Sequence, residues 1–157
     1  MVLSDRYHRQ RLVEGIGDEG QSAISNAHVT IVGIGALGCL SASMLARSGV
    51  GTLTLIDRDI VETTNLQRQL LFTEEDAESQ KPKAIAAADR LRNVNSDINI
   101  RAYVEDVTAR NIDRLLQKTD VIVDGLDNFN TRYLLNDFAV KNSIPYMFAG
   151  VIASQGN

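Results

Sequence analysis

The sequence predicts an α/β fold: a doubly wound, mainly parallel sheet with helices on both faces, preceded by an N-terminal helical arm. Five apolar runs rich in β-branched residues alternate with segments of helical character, and the connections are short. Such alternation is typical of parallel sheets built from β-α-β units. A glycine-rich turn joins the first apolar run to the helical segment after it, as a Rossmann-like nucleotide-binding unit requires.

The glycine-rich turn follows a predicted strand over residues 29–32 and has G-x-G-x-x-G spacing, formed by Gly33, Gly35 and Gly38. The first glycine permits a tight turn, the second lets backbone approach a ligand, and the third allows close packing of helix on strand. The helix after it has apolar side chains at helical spacing, at Leu37, Leu40, Met44 and Leu45. Its first amide groups favour an anion. Packing alone also explains glycines between a strand and a helix. We favour a nucleotide site, but the spacing does not say which nucleotide binds.

Polar and charged residues follow the second predicted strand, residues 53–56. Asp57 ends this strand, at the place where a carboxylate accepts both ribose hydroxyls, and Asp59 comes two residues later. A polar loop over residues 60–65 then leads to Asn65 and Arg68. Because ligands of open α/β sheets lie at the carboxyl ends of the strands, these two side chains are candidate binding residues.

Two lysines flank Pro82, ahead of an alanine-rich helix predicted over residues 84–94. Proline suits the first turn of a helix, which places Lys83 at the amino end, where the helix dipole disfavours a cation. An anionic ligand would explain a lysine there, and simple solvation explains it equally well.

The remaining elements continue the alternation. The pattern predicts strands over residues 98–104, 120–124 and 144–152, with helices over residues 111–117 and 131–141. Asp127 and Asn128 come just after the fourth strand. Before the sheet, residues 5–12 carry three arginines and a histidine with little apolar periodicity, so we expect a surface arm, followed by a short amphipathic helix over residues 18–25.

Composition limits the classes of function. The 157 residues are the size of one domain, predicted to span residues 1–157, and the net charge of −4 argues against non-specific nucleic-acid binding. Cys39 is the single cysteine of the sequence, which excludes an internal disulfide and a multi-cysteine zinc site within this chain. No apolar run reaches the roughly 20 residues of a membrane span, so we expect a cytoplasmic protein that does not enter a membrane.

Six motifs together resemble the ThiF/MoeB/HesA family, the bacterial relatives of ubiquitin-activating enzymes. They occur in the order and at about the spacing of that family, across essentially the whole chain: RYHRQ at residues 6–10, VGIGALG at 32–38, LIDRD at 55–59, NLQRQ at 65–69, KPK at 81–83 and DNFNTR at 127–132.

The resemblance implies an ATP- and magnesium-dependent adenylyltransferase. Its substrate would be the C-terminal glycine carboxylate of a ubiquitin-like sulfur-carrier protein with a Gly-Gly tail, of the thiamine or molybdopterin type. By position, Asp57 would hold the ribose and the backbone at Gly35 and Ala36 would face the nucleotide. The nucleotide site as a whole would comprise Gly33, Gly35, Ala36, Gly38, Asp57, Asp59, Asn65, Arg68, Lys83, Asp127 and Asn128.

The resemblance also implies which residues carry the chemistry. Arg68 and Lys83 would grip the phosphates with Asn65, and Asp127 would bind magnesium beside Asn128. Arg9 would reach from the arm into the other subunit of a homodimer. Lys81 is the rival of Lys83 for the lysine role, because both flank Pro82.

The sequence departs from the family in two respects. Members commonly continue into CxxC pairs that bind zinc, so we expect the chain to be the nucleotide-binding portion of a longer protein, with zinc only in a segment beyond it. Ala36 replaces a frequent glycine. Two alternatives stay open from the residues: an NAD-dependent oxidoreductase, which shares the glycine fingerprint and ribose carboxylate, and a nucleotide-binding module without catalysis.

Overall fold

A computed structural model describes residues 5–152 and 155–156 of the chain. Within it, five strands form one sheet in the order β3-β2-β1-β4-β5, and every neighbouring pair is parallel. The strands are β1 (His28–Val32), β2 (Thr52–Ile56), β3 (Asn99–Tyr103), β4 (Val121–Asp124) and β5 (Tyr146–Phe148). The predicted doubly wound α/β fold is confirmed.

The strand order places a topological switch point between β1 and β4. The chain moves outward from β1 through β2 to β3, and then crosses to β4 on the other side of β1. In the aligned register Val32 pairs with both Ile56 and Asp124, so β1, β2 and β4 end at the same edge. The segments that follow these three strands therefore meet there, where open α/β sheets bind ligands.

Helices cover both faces of the sheet. They are α1 (His8–Arg11), α2 (Gly17–Asn26), α3 (Ala36–Ser48), α4 (Glu74–Glu78), α5 (Lys83–Val94), α6 (Ile112–Leu115) and α7 (Phe129–Asn142). One buried cluster joins α3 and α5 to β1 and β2, whereas a second joins α6 and α7 to the other face. Among the described residues, no helix is long and apolar enough to cross a bilayer, and the cytoplasmic location stays a prediction.

The contact face of α3 differs from its apolar sequence positions. Leu40 and Met44 are 49% and 61% exposed, while the buried residues of the helix are the small ones, Gly38, Cys39, Ala42 and Ala46. These small side chains face the sheet, so Leu40 and Met44 are turned toward solvent, while Leu45 still packs against the core at the edge of the contact face.

The fifth strand is shorter than the predicted run over residues 144–152. Only Tyr146–Phe148 pairs with β4, and two further short strands, β6 (Val151–Ile152) and β7 (Gln155–Gly156), pair with each other antiparallel. Ala149 and Gly150 separate β5 from β6. One continuous apolar run therefore contains two strands, since apolar character does not reveal where a chain turns.

Candidate functional site

The glycine-rich turn packs backbone against backbone. Gly33 has a φ of +88°, and a Cβ added to it would lie 2.8 Å from the backbone of Gly125, the residue after β4. A Cβ on Gly38 would lie 2.0 Å from the carbonyl oxygen of Gly33. Contacts under 3 Å force the backbone to shift, so a side chain at Gly33, Gly38 or Gly125 would disturb the packing of the turn. Gly125 was not among the predicted site residues, although a glycine directly after a buried strand was a visible signal.

Gly35 faces open space instead. A Cβ added to it would have only the Gly125 carbonyl oxygen nearby, at 3.8 Å. Gly35 caps α3 without a side-chain hydrogen bond, and Ala36 is the first residue of the helix. The amides of this first turn point out of the helix end, where they can receive an anion.

Asp57 ties the glycine turn to the end of β2. Its Oδ2 accepts a hydrogen bond from the Ile34 amide at 2.7 Å, and its Oδ1 accepts one from the Asp59 amide at 2.8 Å. Burial raises the pKa of Asp57, and the two amides and the Lys83 ammonium oppose that rise. A carboxylate oxygen accepts more than one hydrogen bond, so both oxygens keep capacity for a ligand hydroxyl.

Lys83 lies at this site and Lys81 does not. Lys83 is 8% exposed, and its ammonium group lies 3.3 Å from Asp59 Oδ2. Lys81 forms ion pairs with Asp89 at 2.8 Å and Asp76 at 3.9 Å, on the outer side of α5. The Asp59 carboxylate also offsets the unfavourable position of a cation at the start of α5.

The loop after β2 presents three polar side chains of different character. Asn65 is buried, and its Oδ1 accepts a hydrogen bond from the Glu62 amide at 3.0 Å. Arg68 is exposed, with one guanidinium nitrogen donating to the Thr64 carbonyl at 3.1 Å. Gln69 is 4% exposed, and its Oε1 has no hydrogen-bond partner among the described residues. Gln69 was missed as a site residue, although it ends the NLQRQ motif.

The segment after β4 brings a carboxylate to the same edge. Asp127 is exposed, whereas Asn128 caps α7, its Oδ1 accepting a hydrogen bond from the Thr131 amide at 3.0 Å. The Asn128 side-chain oxygen is thus engaged by the helix, which leaves Asp127 as the free carboxylate of this turn. Within the described part of the chain, no three His, Cys, Asp or Glu side chains cluster as metal ligands.

A buried ion pair lies beneath this turn, between two residues that the sequence did not mark as functional. The Asp124 side chain is fully buried and lies 3.2 Å from Arg132 Nε, in an alignment that makes no hydrogen bond. Asp124 also accepts hydrogen bonds from the Tyr146 hydroxyl and, at 2.8 Å, from the Leu126 amide. Burial, followed by the bond to Asp124, raises the pKa of Tyr146. Arg132 ends the DNFNTR motif, which was the available signal.

The N-terminal arm lies on the surface, as predicted, and is anchored to its own chain. Tyr7 is 6% exposed, its ring lies against Gly49, and its hydroxyl accepts a hydrogen bond from Asn95 at 2.8 Å. Gln10 donates to Gln21 at 2.6 Å and to the Ser48 carbonyl at 3.0 Å. The anchoring groups are mostly polar, so a search for apolar periodicity did not reveal them.

Arg9 lies between these two anchors and far from the glycine turn of its own chain. Its side chain is exposed and makes no hydrogen bond or ion pair with the described residues. The anchors hold the arm at the carboxyl end of α3, while the glycine turn lies at the amino end. The 13 residues of α3 span about 20 Å at the rise of an α-helix, so the arm and the turn are separated by that distance.

Comparison with known proteins gives close relatives over nearly the whole chain. A ThiS adenylyltransferase of Bacillus subtilis, named for the sulfur carrier protein ThiS, is 48% identical over 154 residues, which are 98% of this chain and 46% of the relative. A sulfur carrier protein adenylyltransferase of Thermus thermophilus is 40% identical over 152 residues, 97% of this chain and 55% of that protein. The chain thus spans about half the length of these relatives.

Solved structures share the architecture. The E. coli tRNA N6-threonylcarbamoyladenosine dehydratase TcdA, in complex with ATP, superposes with a TM-score of 0.81 at 30% identity, over 93% of this chain and 60% of that one. E. coli MccB with AMPCPP and MccA gives a TM-score of 0.82 at 31% identity, over 94% and 45% of the two chains. The ThiF family model matches residues 7–157. The chain therefore belongs to the ThiF family.

Proposed function

We propose that the protein is the nucleotide-binding part of an ATP- and magnesium-dependent adenylyltransferase for a ubiquitin-like sulfur carrier of the thiamine or molybdopterin type. The observation that carries this proposal is the meeting of the Gly35 turn, Asp57, Lys83 and Asp127 at one edge of the sheet. One ligand then has access to four kinds of group: backbone amides for phosphate, a carboxylate for ribose, a buried cation, and an exposed carboxylate for a metal. The names of the relatives from Bacillus subtilis and Thermus thermophilus support the carrier as substrate.

The nucleoside part of ATP is proposed to lie between the glycine turn and Asp57. The Asp57 carboxylate already accepts a hydrogen bond from the Ile34 amide, so a ribose bound to Asp57 lies at a fixed position relative to the glycine turn. The backbone at Gly35 and Ala36 then faces the phosphates at the start of α3. Neither contact depends on a side chain at these two positions, so the alanine at position 36 is compatible with the role.

The phosphate part is proposed to contact Asn65, Arg68 and Lys83. Lys83 pairs with Asp59 in the structure, and a phosphate beside it would share the ammonium group, which has three donors. The Arg68 guanidinium has donors left beyond its single bond to Thr64, and it can hold two phosphate oxygens in a fixed fork.

Magnesium fits the donor set of this edge, although no all-protein cage exists among the described residues. Magnesium keeps several waters and uses one or two carboxylates together with substrate phosphates. Asp127, exposed beside the glycine turn, is the proposed carboxylate ligand. When bound, the ion offsets the negative charge that grows on the phosphate oxygens during the reaction.

The proposed reaction needs no protein nucleophile. The carrier carboxylate attacks the α-phosphorus of ATP, the bond to the bridging oxygen breaks, and pyrophosphate leaves while an acyl-adenylate forms. Arg68 and Lys83 stabilise the charge on the phosphate oxygens, and binding brings the two anions together. Cys39 takes no part, because burial raises the pKa of its thiol to about 11 and keeps it protonated.

Arg9 is proposed to complete the site of a second copy in a homodimer. Its own glycine turn is about 20 Å away along α3, so the phosphate that the side chain contacts belongs to a site in another subunit. A guanidinium supplied in this way acts as an arginine finger.

Titration calorimetry tests the proposal against its alternatives. The chain should bind ATP more tightly with magnesium than without it, and NAD weakly or not at all. Tighter binding of NAD would favour the oxidoreductase. Pyrophosphate exchange with each candidate carrier, in a version of the protein extended to the length of the relatives, tests catalysis. ATP binding without exchange for any carrier would leave a binding module instead.

A further inference from the structure

We propose that Arg132, with Asp124, is a positioning residue that holds the turn carrying Asp127 in its metal-binding conformation. The inference rests on the proposed function, in which Asp127 is the magnesium ligand. Neither Arg132 nor Asp124 touches the ligand in this proposal. Both act through the backbone between β4 and α7.

The backbone on either side of Asp127 is fixed by these side chains. The Leu126 amide donates to Asp124 at 2.8 Å, and the Leu126 carbonyl accepts a hydrogen bond from Arg132 Nη2. On the other side, Asn128 caps α7 through the Thr131 amide. Asp127 makes no side-chain bond with the described residues, so its direction is set by these two neighbours.

Arg132 is held by three parts of the chain. Besides the Leu126 carbonyl, its Nη2 donates to the Ala149 carbonyl at 3.0 Å, just after β5. The guanidinium carbon lies 4.7 Å from the centre of the Phe148 ring and 5.7 Å from that of Phe129. These contacts fix the planar group between β4, β5 and α7, so the turn cannot move without breaking several of them.

Stability alone is a poor reason for this arrangement. The Asp124 side chain is fully buried and that of Arg132 is 13% exposed, and removing two charges from water roughly cancels the attraction between them. A well-packed apolar pair would serve the fold as well. What an apolar pair cannot supply is a donor and an acceptor for both polar backbone groups of Leu126. The geometry of the turn is therefore the property that the ion pair provides.

The same turn also forms one wall of the nucleotide site. Gly125 precedes Leu126 and packs against Gly33, with less than 3 Å between the Gly125 backbone and a Cβ at Gly33. A shift of the turn would move Asp127 away from the phosphates, while the ribose contact at Asp57 lies on the other side of β1. We therefore expect the metal-dependent part of ATP binding to be more sensitive than the nucleoside part.

Arg132→Lys tests this inference, because lysine keeps the charge and loses the planar fork. Calorimetry would measure the affinity for ATP with and without magnesium, and for AMP without it. We expect the gain in ATP affinity caused by magnesium to fall at least tenfold, and AMP affinity to change less than threefold. The matched control is Arg114→Lys, since Arg114 also pairs with a carboxylate, Glu105 at 2.5 Å, and is 55% exposed.

Each outcome is decisive. Equal losses for AMP and magnesium-ATP, or no loss for either, would reduce Arg132 to a structural residue and overturn the inference. If Arg132→Lys does not fold, Tyr146→Phe removes one donor to Asp124 and leaves the ion pair. It should shift the same ratio in the same direction by a smaller factor, and an unchanged ratio refutes the inference. Failure of the proposed function is seen separately, as an absent magnesium effect in the unsubstituted protein.

Discussion

Gly35 and Gly38 of the turn have separable roles, and single alanine substitutions should distinguish them. In Gly38→Ala the new Cβ would lie 2.0 Å from the Gly33 carbonyl oxygen, so the backbone must shift by more than about 1 Å to restore an ordinary C···O contact. Overpacking of this kind costs about 1–3 kcal/mol. For a chain of this size each kcal/mol lowers the melting temperature by about 2–4 °C, so we expect a decrease of about 2–12 °C.

In Gly35→Ala the same methyl group meets only the Gly125 oxygen, at 3.8 Å, and the backbone angles of φ −85° and ψ −151° are open to alanine. Alanine is a poorer N-cap, and the loss is offset by the roughly 0.4–1 kcal/mol gained from a less flexible unfolded chain. Stability should therefore change little. If phosphate approaches this backbone, the methyl displaces it and removes a charged hydrogen bond of about 1.5–3 kcal/mol, which is about a 10- to 150-fold loss of ATP affinity.

Thermal unfolding by circular dichroism and ATP titration on the two variants measure both effects. The reasoning requires opposite results: Gly38→Ala loses melting temperature, and Gly35→Ala keeps its melting temperature and loses ATP. If Gly35→Ala bound ATP as the unsubstituted chain does, the nucleotide would not approach the turn at this position. If Gly38→Ala melted normally, the contact between Gly38 and Gly33 would have no energetic weight.

Three further predictions concern side chains. Lys83→Ala should weaken ATP binding at least tenfold by calorimetry, whereas Lys81→Ala, its control across Pro82, should change it less than twofold; equal losses would contradict the assignment of Lys83. Burial raises the pKa of Asp57, and the protonated acid loses acceptor capacity, so affinity for adenosine should fall with decreasing pH before an ordinary aspartate titrates; a pH dependence retained in Asp57→Asn would assign the effect elsewhere. Arg9→Ala and Asp127→Asn chains, extended to the relatives' length, should each lack pyrophosphate exchange alone. Refolded together they should regain it, because a heterodimer contains one site with both residues intact; heterodimers without exchange would refute the in-trans role of Arg9.

The sheet and the glycine turn were predictable from the sequence because their signals are local. Strands β1, β2 and β4 are short runs rich in apolar residues, closed by Gly33, Asp57 and Asp124, whereas β3 shows the alternating pattern NIRAY. The anchoring of the arm was not predictable, since Tyr7 is fixed by Asn95, which is 88 positions away and polar. A pattern of apolar residues carries no information about such a bond.

Within the candidate site, the sequence motifs identified the segments that form the site, but they did not show what each residue in those segments contacts. Gln69 and Arg132 lie inside motifs that the sequence displayed. Only the structure shows that the buried Gln69 oxygen has no hydrogen-bond partner in the described part of the chain, and that Arg132 binds backbone. The choice between Lys81 and Lys83 was open for the same reason. Lys83 points toward the edge of the sheet and pairs with Asp59, whereas Lys81 pairs with Asp89 on the outer side of α5. The spacing of the two lysines in the sequence does not show which of them is buried.

The position of the arm separates two properties of the proposed enzyme. Apart from Arg9, every group proposed to bind the nucleotide lies on one chain, at the edge where β1, β2 and β4 end. Arg9 is instead held at the opposite end of α3 by Tyr7 and Gln10, which fix the arm to its own chain. An anchored arm cannot fold back to its own site. Under the proposed mechanism a lone chain should bind ATP with nearly full affinity yet lack the second phosphate-stabilising guanidinium, that of Arg9, so dimer formation would control the chemical step more than the binding step.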